Sequence, residues 1–269
     1  MIVFLERRHA TSFSELTTGL RTIICLDSYD YTSTDTLEIT QSITIACEGQ
    51  VARAGRIVIN APSVVVVLRG LTITGHYGDA GDTGIDFKDG NALHLESSQV
   101  IGWAGIGIQF RPTGTSRLYV TDSVISENGT FTGGGGVFVQ PSGSGSARVS
   151  LSRVTMNQNT HGIFADGTGT TGSIVVQVDG SVVAGSLGNG IWAKRAGIVV
   201  DRTSSKNNAG YGVLADGPGS LFHLSNSMVV GNGAGLGTAN GTGQIFSYGN
   251  NQTKGNGFDG APTGALTRN

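Results

Sequence analysis

Charge is scarce in this 269-residue chain. Lys and Arg number 17 and Asp and Glu 19, together 13% of residues, about half the usual share. With a formal net charge of −2 there is no cationic excess to neutralise phosphates and release counterions, which excludes nucleic-acid binding of that kind. Sparse charge beside 38% hydrophobic residues also excludes disorder, which combines high charge with little apolar content. No apolar run nears the ~18 residues of a membrane-spanning helix, so no membrane insertion is expected. CxxC and HxxxH pairs, the phosphate-cradling GxxxxGKS/T loop and calcium-binding GGxGxD nonapeptides are all missing, and no cofactor is expected. Glycine is plentiful instead, with 44 residues, about twice average usage. Without a strict three-residue period that abundance is not collagen.

From residue 66 the chain repeats the pattern apolar-x-apolar-x-x-small-x-apolar. It runs through Val66-x-Leu68, Leu93-x-Leu95, Leu118-x-Val120, Val149-x-Leu151, Val176-x-Val178, Ile198-x-Val200, Phe222-x-Leu224 and Phe246-x-Tyr248. Successive starts lie 27, 25, 31, 27, 22, 24 and 24 residues apart. Two short strands of period-two alternation joined by a two-residue bend account for it. A second landmark keeps step: Gly followed by Ile, Val or Leu at Gly84, Gly107, Gly136, Gly162, Gly190, Gly212 and Gly235. Each opens a further strand, so a repeat holds about three strands and no helix.

One such repeat cannot bury its own apolar face, but stacked repeats share a continuous core. The period is about half that of a propeller blade, and no hexapeptides point to a left-handed helix. The expected fold is all-β, a right-handed parallel β-helix of about nine or ten coils over residues 21–256. Ser12-Phe13-Ser14-Glu15 is a capping-box pattern, with Leu16 and Leu20 for one apolar face, so residues 1–20 are expected to supply a short capping helix. Residues 257–269 lose the pattern and read as an irregular tail or a cap. Ile2 to Leu5 is too short an apolar run for a signal peptide, so the chain is expected to be either intracellular or numbered after a removed leader. Cys25 and Cys47 lie 22 residues apart, about one coil. They would stack at ~4.8 Å, which a disulfide tolerates and a ladder of buried thiols equally allows.

Several segments together resemble bacterial right-handed parallel β-helix proteins of the pectate-lyase-like superfamily. They are Cys25-Leu26-Asp27, Ile39 to Cys47, Leu68-Arg69-Gly70-Leu71, Ala92 to Glu96 and Tyr248-Gly249-Asn250-Asn251. The resemblance covers most of the chain and implies a secreted, periplasmic or cell-surface protein. The superfamily holds pectate lyases, polygalacturonases, epimerases and phage tailspikes beside many proteins of unassigned function, so fold alone does not select an activity.

Chemistry in a β-helix is read down columns of equivalent positions. The second residue after each landmark glycine should point outward, giving Asp86, Gln109, Phe138, Phe164, Trp192 and Leu214, a column taken on to Thr238 in the last coil. Phe138, Phe164, Trp192 and Leu214 would form an aromatic stripe about 15 Å long. A loop or tail could cover it, a second copy of the chain could dock on it, or a saccharide could stack there. The fourth position reads Lys88, Arg111, Gln140, Asp166, Lys194 and Asp216. As the resemblance implies, Lys194 and Arg195 could act as base and clamp of a polysaccharide lyase, with Asp166 and Asp216 holding calcium. A plain surface ion ladder is the other reading.

Hydrolase signatures are weaker, since Thr160 rather than Gly precedes His161-Gly162 and no Arg-x-Lys occurs. Glu96, Asp179 and Asp201 share a column, with Glu96 too distant to act with the other two on one glycosidic bond. His94 and His223 share another, five coils apart. Asn128, Asn159, Asn189, Asn208, Asn232 and Asn256 read as bend formers. The function expected is a non-catalytic structural or binding module that associates with itself or with a polysaccharide, the alternative being a lyase acting on an acidic polysaccharide.

Overall fold

A computed structural model describes residues 2–5, 21–31, 36–75, 82–130 and 133–267. Among these the chain winds into three parallel sheets of twelve, nine and nine strands. The twelve-stranded long sheet runs from Ile2–Leu5 and Thr22–Cys25 through Ala92–Glu96, Thr115–Thr121, Ser146–Ser152 and Ile174–Asp179 to Gln244–Ser247 and Gly264–Ala265. A narrow sheet is built of three-residue strands such as Val124–Ser126 and Ser204–Lys206. The third sheet holds the strands opened by the landmark glycines, among them Ile106–Phe110, Gly135–Val139, Ile163–Asp166, Ile191–Lys194 and Tyr211–Asp216.

Pairing follows the repeat. Leu93 stands beside Leu118, then Val149, Val176, Ile198 and Phe222, all buried in one core. One adjustment occurs at the late coils. Phe222 pairs with Ile245 rather than Phe246, so Ile245 is buried and Phe246 faces outward. An extra residue in the bend at Gly249 and Asn250 absorbs the shift, since a one-residue slip exchanges the two faces of a strand. Leu214 pairs with Gly237, the second residue after Gly235, and Ala215 with Thr238, so the outward column ends on Gly237 and the place given to Thr238 is one residue too far.

Each bend spends one residue in the left-handed region. Gly70 has φ +66, and a Cβ there would meet the Glu48 nitrogen at 2.7 Å, so only glycine fits. Behind the bends run two polar ladders. Ser98, Ser123, Ser181, Thr203 and Ser227 are buried and accept a backbone N–H from the preceding coil, as in Ser98 N–H to Ser123 Oγ at 3.1 Å and Thr203 N–H to Ser227 Oγ at 3.2 Å. Each hydroxyl donates to the carbonyl two residues back, as Ser227 does to Ser225 at 2.7 Å.

The asparagines are more than bend formers. Asn128, Asn159, Asn208 and Asn232 are buried. Trp103 N–H donates to Asn128 Oδ1 (3.1 Å), Asn128 N–H to Asn159 Oδ1 (3.0 Å), Asn208 N–H to Asn232 Oδ1 (3.0 Å) and Asn232 N–H to Asn256 Oδ1 (2.9 Å). Asp259 closes the series by accepting Asn256 N–H at 3.0 Å. Asn189 stands outside it and accepts Tyr211 N–H, while Ser186 takes the ladder position and donates its own N–H to Asn208 Oδ1. The Ser186 hydroxyl is too short to carry the series on and is buried without a partner.

At the N-terminal end Ile2–Leu5 adds a strand to the long sheet beside Thr22–Cys25, so the first 20 residues are not a helix throughout. The helix expected at residues 12–20 lies outside the described residues. The tail beyond residue 256 continues the solenoid: Ala234 bridges Phe258 and Gly264–Ala265 pairs with Phe246–Ser247. Cys25 and Cys47 form a disulfide with a Cα separation of 4.7 Å, tying the first coil to the second.

Two predictions follow from the Asn ladder. Asn208→Ala strands the Ser186 and Asn232 partners and should cost about 2–4 kcal/mol in urea unfolding, whereas Ser186→Asn should raise the melting temperature by about 2–4 °C. A lower melting temperature for Ser186→Asn would show that the site has no room for the amide. The Asp259 carboxyl is held below the ordinary range, chiefly by the Asn256 backbone N–H. Its contribution is therefore present above the unfolded carboxyl pKa and lost as pH falls through the folded value. The stability gap between wild type and Asp259→Asn should narrow from pH 7 to pH 3 in denaturant titrations.

Candidate functional site

The outward column of the third sheet forms in register. Asp86, Gln109, Phe138, Phe164, Trp192 and Leu214 stand side by side on successive strands. It is not the open apolar surface that alternation predicts. Phe138 is 4% exposed, Phe164 8% and Leu214 6%, and Trp192 alone of the four is half-buried. The rings cover one another, with Phe164 stacked on Trp192 at 4.1 Å and edge-on to Phe138 at 5.3 Å. Flanking turns complete the cover: the His161 ring sits 5.3 Å from Trp192, and a Cβ on Gly135 would come within 2.7 Å of the Phe138 ring. Trp192 Nε1–H donates to Asp216 Oδ2 at 3.2 Å. Little of this stripe is left to meet a partner or a sugar.

Asp166, Lys194 and Asp216 pair on consecutive strands as expected, yet no ion pair joins them among the described residues. Asp166 Oδ1 accepts the Thr168 N–H and hydroxyl at 2.9 and 2.6 Å. Asp216 is 5% exposed, with one oxygen taken by Trp192 and the other by Asn240 at 2.7 Å. Asp216 thus has both oxygens engaged and Asp166 one, and no group of three His, Cys, Asp or Glu among the described residues could hold a metal ion. Arg195 occupies a left-handed bend position at φ 51 and fixes its backbone N–H on Ser220 Oγ at 2.8 Å.

The same column carries a charge cluster that the sequence columns separated. Asp86 is fully buried. Arg111 grips both its oxygens at 2.8 and 2.7 Å, and Arg56 and Lys88 stand 3.5 and 3.8 Å away. The hydrogen bond to Asp86 raises the Arg111 pKa against the opposing effect of burial. The alternation shows Asp86 and Arg111 two positions apart on neighbouring coils, which is the signal for this pair. Arg56 comes from the coil before and carries no such signal. A buried carboxylate needs these cations to offset its desolvation, so the cluster is accounted for as structure.

The outer face of the long sheet remains. Its middle column reads Val67, His94, Tyr119, Ser150, Gln177, Val199, His223 and Phe246. His94 stacks on Tyr119 at 4.6 Å and His223 meets Phe246 edge-on at 6.0 Å, all four half-buried. The acids of the adjacent column are occupied: Glu96 by Arg69 at 2.7 Å, and Asp179 and Asp201 by Arg202 at 2.6 Å each. Burial pushes the Asp201 carboxyl up, but hydrogen bonds from Ser225 and Asn226 and the Arg202 charge outweigh it and leave the carboxyl below its ordinary value. Two shallow depressions open on this face, one around Asn91, His94, Arg117 and Tyr119, the other around Gln177, Asp201, Asn226 and Tyr248. The alternation places His94, Arg117, Tyr119, Gln177 and Asp201 outward, whereas the repeat pattern sets Phe246 and Tyr248 inward, and the register shift of the last coil brings Phe246 to this face.

No known family profile matches the chain, and no curated protein matches it. Among solved structures it is similar to the crystal structure of pectate lyase Pel9A, at 13% identity and a TM-score of 0.56, over 88% of this chain and 68% of that one. At that identity the likeness is one of fold. The parallel pairing, the three sheets and this superposition agree: the chain has the right-handed β-helix fold of the pectate-lyase-like type.

Proposed function

We propose that this protein is a non-catalytic β-helix module that binds a glycan along the outer face of its long sheet. The observation that carries the reading is the pair of half-buried ring platforms in one outward column, His94 with Tyr119 and His223 with Phe246. Four strand spacings separate Tyr119 from His223, or about 19 Å, a span that suits an elongated ligand. Hydrogen-bonding side chains beside the rings (Asn91, Gln177) suit its hydroxyls. Against catalysis stands the use of the Asp166 and Asp216 carboxylates in local hydrogen bonds. The Cys25–Cys47 disulfide supports a working place outside the reducing cytoplasm.

The test is two assays on one preparation. Acidic polysaccharides with calcium should yield no unsaturated products by ultraviolet absorbance, while affinity electrophoresis should detect glycan binding that Tyr119→Ala weakens about tenfold, ~1.4 kcal/mol. Unsaturated products that vanish in Lys194→Ala would overturn the non-catalytic reading in favour of a lyase. Binding indifferent to Tyr119→Ala and His223→Ala would remove the long sheet as the binding face.

A further inference from the structure

Two cations on the long sheet have no counter-charge among the described residues. Arg117 and Arg148 are partners in register on neighbouring strands, which sets their Cβ atoms about one strand spacing apart, ~4.8 Å. Like charges placed directly across from each other destabilise a sheet. Six other arginines are neutralised: Arg53, Arg56, Arg69, Arg111, Arg153 and Arg202 each face an acid. Arg117 and Arg148 are exposed and make no ion pair or side-chain hydrogen bond with any described residue. Their own column offers only Ala92 on one side and Val175 on the other. The acids of the face stand four residues further along the strands, about 13 Å away, and already hold Arg69 and Arg202.

We infer that Arg117 and Arg148 form an anion site for the sulfate ester of a sulfated glycan, a reading that rests on glycan binding by this face. A carboxylate is satisfied by the fork of one guanidinium. Two uncompensated guanidiniums a strand apart suit an anion with three terminal oxygens that can reach both. Tyr119 lies two residues beyond Arg117 on the same face of the strand, with His94 stacked on it. Arg117, Tyr119, His94, Asn91 and Thr115 line one depression. A sugar ring lying on Tyr119 would place its ester over the arginines and its hydroxyls near Asn91 and Thr115. Phosphate esters share the tetrahedral geometry, so the experiment separates the two.

The experiment titrates the full chain with chondroitin sulfate, unsulfated chondroitin and a phosphorylated dextran by calorimetry, alongside Arg117→Ala/Arg148→Ala and Arg117→Lys/Arg148→Lys. Chondroitin sulfate should bind at least tenfold more tightly than unsulfated chondroitin, and the double alanine variant should erase that preference while the lysine variant keeps part of it. Melting temperature supplies a second readout: the alanine variant should melt no lower than wild type, because relief of like-charge opposition offsets the lost side chains. Equal binding of both chondroitins, unaffected by the variants, overturns the sulfate site and leaves glycan binding standing. No binding of any glycan overturns the broader reading instead. Tighter binding of the phosphorylated dextran reassigns the site to phosphate and overturns the sulfate assignment, and a large drop in melting temperature makes the pair structural.

Discussion

Every coil of this solenoid repeats its cross-section one strand spacing further along, so each side chain must accept its own counterpart directly above and below it. Apolar residues meet that demand easily, and the inward columns are filled with Ile, Val, Leu and Phe. Polar groups meet it only if each can donate in one direction and accept in the other. Serine, threonine and asparagine can, and those are the residues behind the two series of bends. Charged groups meet it worst, which explains both the low charge content and the care with which most acids and arginines are matched across coils.

The same constraint accounts for how much the sequence revealed. The period, the three strands per coil and the inward columns were legible because alternation and stacking are written in the same residues, Leu93 through Phe222. The exposure of the outward column was not. Whether Phe138 and Phe164 meet water depends on the approach of Gly135 and on how neighbouring rings tilt, and neither leaves a trace in the alternation. The late coils misled the count for a related reason: a single added residue near Gly249 is invisible in a glycine- and asparagine-rich bend, yet it moves Phe246 from the core to the surface. Asn189 and Asn208 look alike in sequence, but the former holds a single turn and the latter lies in a ladder.

The candidate site shows a similar division. Asp166, Lys194 and Asp216 were placed correctly in register, but register does not reveal that Thr168, Trp192 and Asn240 have claimed the carboxylates. The long-sheet face carries no motif at all. Its rings and arginines become a surface only because register brings together residues 23 to 31 positions apart in the chain, as in His223 beside Phe246 and Arg117 beside Arg148.

The short hydroxyl at Ser186 also bears on how the molecule comes apart. A stacked array holds together through nearest-neighbour interfaces, and it melts as one body only while those interfaces are comparable. Between Asn159 and Ser186 the asparagine series is interrupted, and the buried hydroxyl is left without a partner. All three sheets pair across that interface without a break, so the missing amide weakens one edge of the cross-section while the backbone ladders carry the stack past it.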